Sequence, residues 1–187
     1  KNIYSISGSN TFSDIHFGDW GMPIGLIIAY LETKNINIET INPKDLETIY
    51  PEANKLAGNN PAFKNLAKNI TFELNSGNNE YIDKWQVIQK ISKNNILSLL
   101  ERLKFSFDFY KGESDVVNLI PKLIENLKEN NLVLIDDGAL ISNDSQNPPP
   151  IIVKSDGSYN YLTTDLATVV DREASHNIDH YIYIVDQ

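Results

Sequence analysis

The sequence of 187 residues contains no cysteine, one methionine and three histidines. The absence of cysteine excludes disulfide bonds, thiolate zinc sites and cysteine nucleophiles, and leaves His, Asp and Glu as the possible metal ligands. An apolar run of about 18 residues and a signal-peptide pattern are also missing. We therefore expect a folded cytoplasmic protein that makes no contact with a membrane. The missing initiator Met suggests a processed product or an excised fragment.

Positive charge is scarce as well, because 16 Lys and Arg stand against 25 Asp and Glu, for a formal net charge of −9. Non-specific binding to phosphates needs clustered Lys and Arg, so the composition argues against a stand-alone nucleic-acid binder. What the chain does contain is 41% hydrophobic residues, enough for the core of one domain. Asparagine is also frequent, which we attribute to compositional bias.

The two ends of the chain have an α/β pattern. Ile3–Ile6 and Ser13–Phe17 are short β-leaning segments, and the apolar run Gly25–Leu31 predicts a helix. Tyr181–Val185 is a β-branched and aromatic run typical of a strand buried in a parallel sheet. We expect the first and the last of these segments to lie in one parallel sheet.

The middle of the chain, approximately residues 43–130, predicts a mainly helical insertion. Three helices fit between Pro43 and Lys104, where Pro43 and Pro61 occupy first-turn positions. Trp85 belongs to the apolar face of the third helix and is expected in a core or interface. An amphipathic helix should follow over Ser114–Glu129.

Approximately residues 131–162 predict a β-meander. Asp137-Gly138 between two apolar runs is a strong hairpin signal, and Ile151–Lys154 and Tyr159–Leu162 supply two further strands. A helix should then begin near Thr163, where Thr-Thr-Asp resembles an N-cap with an acidic first turn.

Tyr161 and Asp165 are the first candidate site residues, since they lie where a strand should end and this helix should begin. Ligands of open α/β sheets bind at such strand ends, and a carboxylate there can pair bidentately with a guanidinium. The alternative, which spacing alone favours, is that Asp165 complements the helix dipole and Tyr161 packs.

Asp14, His16 and Asp19 form a second candidate, because an acidic pair around a histidine would suit a divalent cation. Alternate residues of a strand share a face, so Asp14 and His16 could point together. No second histidine lies nearby and the spacing matches no known ligand pattern, which argues against a metal site.

Two sequence motifs change how these candidate residues are interpreted. The segment KSDGSYNYLTTDLA, residues 154–167, resembles the K-S-D-G-T-x-x-Y-x-T-x-D-L-A segment of arginyl-tRNA synthetases. HFGDWGMPIG, residues 16–25, resembles the H-x-G-D-W-G-x-x-x-G stretch of the same catalytic domain. Weaker matches follow the family's order at residues 110–114 (Y-x-G-E-S), 137–139 (D-G-A) and 181–186 (a terminal strand). The resemblance covers nearly the whole chain.

The resemblance implies a fold class: α/β, an incomplete Rossmann-type (class I synthetase, HUP-like) parallel sheet with a helical insertion and a small β-meander. Residues 1–187 would all be part of a single catalytic domain. The implied reaction is activation of arginine by ATP, with Mg²⁺, and attachment to tRNA(Arg), which is bound mainly through domains absent here. No tightly bound protein metal is expected.

The resemblance also assigns residues. Tyr161 and Asp165 would hold arginine. Gln187 is a third candidate for an arginine contact, although it falls at a variable position just before the family's functional Gln. The residues expected near ATP or the adenylate are His16, Gly18, Asp19, Trp20 and Gly21, with a purely structural turn as the alternative for Asp19 and Trp20. Many family members have Asn before the histidine, where this chain has Asp14-Ile15, so that contact is not carried over.

Neither a His-Ile-Gly-His-like motif nor a Lys-Met-Ser-Lys-Ser-like loop is present. We therefore expect the isolated chain to be inactive or nearly so. Two other interpretations remain open at this point: a non-catalytic binding or regulatory module derived from a synthetase, and an unrelated α/β nucleotide-binding protein.

Overall fold

The computed structural model describes residues 1–184. The polypeptide divides into two compact units, Lys1–Gly112 and a second that begins at Glu113. The helices are α1 (Asn2–Ile6), α2 (Met22–Thr33), α3 (Pro43–Asn59), α4 (Pro61–Asn75), α5 (Asn79–Arg102), α6 (Ile120–Glu129) and α7 (Tyr161–Ser175). The strands are β1 (Asp14–Phe17), β2 (Phe109–Gly112), β3 (Val133–Asp136), β4 (Ala139–Ser142) and β5 (Ile151–Val153). Among the described residues, no helix is both long and apolar enough to cross a membrane.

In the first unit, β1 and β2 pair in parallel, with Asp14 opposite Phe109 and Phe17 opposite Gly112. Asp108 fixes the start of this ladder, because its carboxylate accepts hydrogen bonds from the Ser13 amide at 2.6 Å and the Ser13 hydroxyl at 2.7 Å. Lys1 Nζ lies 2.5 Å from the same carboxylate. These bonds hold the pKa of Asp108 well below its usual 3.8, at about 2, with the Lys1 contribution the largest.

Helix α2 is the centre of the first unit. All eight residues from Ile24 to Leu31 are buried, which is the pattern of a helix surrounded on every side. Helices α3, α4 and α5 pack around it with their apolar faces, contributing among others Ile49, Phe63, Ile70, Leu74 and Ile88. Gly25 lets α4 approach closely, since a Cβ there would lie 2.1 Å from Thr71 Oγ1 and 2.6 Å from the Ala67 carbonyl oxygen.

Asparagine side chains begin four of the long helices. Asn42 forms a capping box with Asp45 at the start of α3, and the same N-cap role falls to Asn60, Asn78 and Asn160 for α4, α5 and α7. An N-cap side chain satisfies a backbone N–H that the helix itself cannot pair. Composition alone therefore does not account for the asparagines, because several of them define where helices start.

The second unit contains the predicted meander. Strands β3, β4 and β5 form an antiparallel sheet in that order. Asp137 and Gly138 connect β3 to β4 with φ angles of 43° and 77°, the left-handed conformations of a tight hairpin turn. The hairpin prediction is thus confirmed. Beside the sheet, α6 and α7 share a small core formed by Val116, Ile120, Leu123 and Ala167.

The predicted sheet partners were wrong. Ile3–Ile6 lies within helix α1, whose amides bond locally, for example from Ser7 N to Ile3 O at 3.1 Å. Tyr181 to Ile184 have no regular secondary structure, and Val185 lies outside the described residues. A segment with strand propensity forms a strand only when another strand pairs with it. Neither segment has such a partner strand among residues 1–184. The observed parallel pair instead joins β1 to β2.

Two helix starts also differ from the prediction. Helix α7 begins at Tyr161 rather than near Thr163, because Asn160 provides the cap. The predicted strand Tyr159–Leu162 is therefore reduced to a single bridge between Tyr159 and Val153. The helix predicted over Ser114–Glu129 begins as two short 3-10 turns and becomes α-helical only at Ile120.

Candidate functional site

The first candidate region is the glycine loop, Gly18–Gly21, which connects the carboxyl end of β1 to α2. A Cβ added at Gly18 or at Gly21 would meet no atom within 4 Å, so the backbone of both residues faces open space. Gly21 has φ 79° and is the N-cap of α2, a conformation that side chains rarely adopt. A ligand could therefore approach the backbone here more closely than side chains would allow.

Asp19 and Trp20, in the same loop, turn towards the protein instead. Asp19 is 8% exposed, and its carboxylate accepts a hydrogen bond from Gln89 Nε2 at 2.7 Å. Trp85 Nε1 donates to the Asp19 carbonyl oxygen at 2.7 Å, and the rings of Trp20 and Trp85 meet edge to face. These contacts fasten the loop to α5, so the loop has an open glycine side and an anchored side.

His16 is half-buried in β1, opposite Lys111 of β2. Within residues 1–184, no group of three or more His, Asp or Glu side chains is placed to hold a metal ion, and this includes the set Asp14, His16 and Asp19. The Asp19 carboxylate accepts a hydrogen bond from Gln89, so this carboxylate is held by a contact within the protein.

The second candidate region is the start of α7. Tyr161 is the first residue of the helix and is 75% exposed, while Asp165 follows four residues later and is half-buried. Residues four apart lie on the same face of a helix, so Tyr161 and Asp165 share one face of α7. The Tyr183 hydroxyl donates to the Asp165 carbonyl oxygen at 3.3 Å. The strand that precedes this site belongs to the antiparallel meander, so the strand-end argument for parallel sheets does not apply to it.

Asn160 and Thr163 connect this helix start to the meander. Asn160 Oδ1 accepts from the Thr163 amide at 3.2 Å, and Asn160 Nδ2 donates to the Ile151 carbonyl oxygen at 2.8 Å. The Thr163 hydroxyl, fully buried, donates to the Ile152 carbonyl oxygen. Strand β5 therefore fixes the position of the first turn of α7, and with it Tyr161 and Asp165.

Glu113 is a site candidate that the sequence did not single out. The Thr164 hydroxyl lies 3.1 Å from Glu113 Oε1 and 2.9 Å from the Tyr161 carbonyl oxygen, and can donate to either. Thr164 is the residue before Asp165, so a second carboxylate is held beside the start of α7. The available signal was the string at residues 110–114, in which Glu113 is the acidic member.

Glu173, near the carboxyl end of α7, also accepts a hydrogen bond. Tyr181 donates to Glu173 Oε2 at 2.8 Å, and partial burial together with this bond raises the pKa of Tyr181 to about 12. Gln187, the remaining predicted arginine contact, lies outside the described residues.

Comparison with known proteins gives the class of this chain. Residues 1–187 match the family of class I tRNA synthetases (R), catalytic domain. The chain therefore belongs to this family, and the resemblance noted in the sequence is confirmed.

The individual relatives are named more specifically than the family. The arginine–tRNA ligase of Alkaliphilus oremlandii is 33% identical over 207 residues, which cover all of this chain and 35% of that protein. The arginine–tRNA ligase of Agathobacter rectalis is 34% identical, again over the whole chain and 34% of the relative. The crystal structure of arginyl-tRNA synthetase from Plasmodium falciparum has a TM-score of 0.72 at 26% identity, over 91% of this chain and 29% of that one.

These comparisons confirm the α/β class I synthetase fold and exclude an unrelated nucleotide-binding protein. They also show that the chain spans about a third of the length of the curated relatives it matches.

Proposed function

We propose that this chain is the arginine-recognising part of the catalytic domain of an enzyme that attaches arginine to tRNA(Arg). The observation that carries the proposal is the position of Tyr161 and Asp165 on one face of α7, within a chain that matches the family from end to end. The 1–187 segment would form a single catalytic domain, with residues 43–130 as a helical insertion and 131–162 as the meander.

Arginine carries two cationic groups, the guanidinium and the α-ammonium. Asp165 supplies one carboxylate at the start of α7, and Glu113, bonded to Thr164, supplies a second. A carboxylate can bind a guanidinium through two parallel hydrogen bonds, a geometry that lysine cannot reproduce. We assign Asp165 to the guanidinium or the ammonium, and Glu113 to the other cationic group.

Tyr161 adds a polar group at the open side of this pair. Its side chain is 75% exposed, so its position is not determined by packing and its hydroxyl is accessible to a ligand. A phenol can both donate and accept a hydrogen bond, which suits contact with the polar end of an amino acid. The family's functional Gln would follow Gln187 and complete the contacts to arginine.

The glycine loop is proposed to serve the ATP half of the reaction. The uncovered backbone at Gly18 and Gly21 allows close approach, and the positive end of the α2 dipole favours phosphate oxygens beside it. His16 would donate to a phosphate or ribose oxygen. ATP would bind with Mg²⁺ as part of the substrate complex.

The reaction requires positioning more than covalent participation by side chains. The arginine carboxylate attacks the α-phosphate of ATP, which forms arginyl-adenylate and releases pyrophosphate. The terminal ribose hydroxyl of tRNA then accepts the arginyl group, and AMP leaves. Residues that hold arginine contribute by aligning its carboxylate with the phosphorus atom. Such an enzyme would act in the cytoplasm, where its tRNA substrate is used.

The proposal is tested by a charging assay on the full-length enzyme in which this chain is proposed to lie. Total tRNA is incubated with ATP, Mg²⁺ and each labelled amino acid in turn. Labelling by arginine alone is expected, and the 187-residue chain by itself should give no charging. Charging with a different amino acid would refute the assignment. Arginine binding without any charging by the full-length protein would identify a non-catalytic module.

A further inference from the structure

One face of α5 carries a row of side chains four residues apart: Trp85, Gln89 and Lys93. This spacing places all three on the same side of the helix. Lys93 Nζ lies 5.4 Å from the centre of the Phe17 ring at the end of β1. Gln89 Nε2 donates to the Asp19 carboxylate at 2.7 Å. The row therefore follows the chain as it leaves the strand and enters the glycine loop.

Trp85 makes the last contact of the row. Its indole N–H donates to the Asp19 carbonyl oxygen at 2.7 Å, and its ring meets Trp20 edge to face with centroids 5.1 Å apart. Asp19 is thus bonded at its backbone by Trp85 and at its side chain by Gln89. Two adjacent loop residues are fixed by two residues of one helix.

Gly112 of β2 contacts the same carboxylate. A Cβ at Gly112 would lie 2.5 Å from Asp19 Oδ1, so only glycine leaves room for the buried carboxylate. Gly18 and Gly21, in contrast, have no side chain with which to hold the loop in place. Asp19 and Trp20 hold the loop in place, and both contact residues of α5.

We infer that Gln89 is a positioning residue for the nucleotide half of the site: with Trp85 it holds Asp19, and thereby sets how the Gly18 and Gly21 backbone is presented to ATP. This inference rests on the proposed function of the loop. Gln89 touches neither of the proposed substrates and acts through Asp19. Its removal would take one hydrogen-bond donor from a buried carboxylate, and the loop would shift to hydrate that carboxylate.

The kinetic test uses the full-length enzyme with Gln89→Ala. The KM for ATP should rise about tenfold, the loss expected for a hydrogen bond to a charged group, while the KM for arginine should stay within about twofold. Gln86→Ala is the matched control, because Gln86 is exposed on the same helix and should change neither constant. The double variant Asp19→Asn/Gln89→Glu reverses donor and acceptor, and should recover most of the loss in Gln89→Ala.

A spectroscopic test on the 187-residue chain does not depend on any variant. The chain has two tryptophans, so its NMR spectrum shows two indole N–H signals. The Trp85 indole proton should exchange with solvent far more slowly than a free indole. Exchange at the free-indole rate would overturn the inference, even if the Gln89 variants do not fold.

The kinetic outcomes separate the two proposals. If the wild-type enzyme does not charge arginine, the proposed function fails. If it does charge arginine, but Gln89→Ala leaves the KM for ATP unchanged or raises both KM values equally, the positioning role of Gln89 is refuted.

Discussion

Replacing Gly25 with alanine should destabilise the first unit, although the same change in a helix usually stabilises a protein. Helix propensity alone would favour alanine by about 1 kcal/mol. At Gly25, however, the added Cβ would lie 2.1 Å from Thr71 Oγ1 and 2.6 Å from the Ala67 carbonyl oxygen. The threonine side chain can rotate, but the backbone oxygen moves only if α2 and α4 separate.

The expected change in stability follows from the gain in helix propensity and the cost of overpacking. Overpacking of a tight core costs about 1–3 kcal/mol, and the upper end applies where a backbone atom must move. After the propensity gain is subtracted, Gly25→Ala should lower the free energy of unfolding by about 2 kcal/mol. The double variant Gly25→Ala/Thr71→Ala relieves only the side-chain overlap, and should recover part of this loss.

Urea unfolding followed by tryptophan fluorescence is the appropriate assay, because both Trp20 and Trp85 belong to the first unit. Gly58→Ala is the matched control, since Gly58 lies in α3 and a Cβ there would meet nothing within 4 Å. The control should be stabilised by up to about 1 kcal/mol. If Gly25→Ala were as stable as the wild type, the close packing of α2 on α4 would be refuted.

Two further predictions concern anchors of the two units. Asn160→Ala should lower the free energy of unfolding by about 1 kcal/mol and speed hydrogen exchange at the start of α7. Asn160→Ser keeps an N-cap acceptor, so it should lose less stability. Equal exchange rates in the two variants would show that the N-cap does not hold the start of the helix. Asp108→Asn should be less stable than wild type at neutral pH. Because the folded pKa of Asp108 is about 2 and its usual value 3.8, this difference should be complete above the usual value and disappear as the pH falls through the folded one. A difference that grew on acidification, measured by urea unfolding at several pH values, would contradict the assigned hydrogen bonds.

Local signals in the sequence predicted the helices and the hairpin well. Pro43 and Pro61 mark first turns, and Asp137-Gly138 can adopt the left-handed angles that the turn needs. These features depend on a few neighbouring residues. They could therefore be recognised without knowledge of the rest of the fold.

Strand pairing could not be predicted in the same way, because it joins segments far apart in the chain. Ser13–Phe17 was recognised as β-leaning, but nothing local shows that its partner is Phe109–Gly112. Ile3–Ile6 has strand-like composition and yet forms a helix, since local hydrogen bonds prevail where no strand lies alongside.

The candidate site also combines residues that local sequence signals predicted with residues that only the folded structure reveals. Tyr161 and Asp165 stood out through their string, whereas Glu113 became visible only through its contact with Thr164. The sequence also placed the cap of α7 at Thr163, because Thr-Thr-Asp is as good a local signal as Asn160. Asn160 is preferred because its amide group also bonds to Ile151 of the meander, a contact outside the helix.

We propose that Asp165 recognises arginine, and calorimetry with arginine on the full-length enzyme measures this binding without the chemical steps. Asp165→Asn keeps the shape of the side chain but removes its charge, so a loss of about 1.5–3 kcal/mol is expected, equal to roughly 10- to 100-fold weaker binding. Asp137→Asn is the control, because Asp137 is exposed in the β3–β4 turn, where asparagine also tolerates positive φ. We expect weaker binding for Asp165→Asn alone. Identical isotherms for wild type, Asp165→Asn and Asp137→Asn would contradict it.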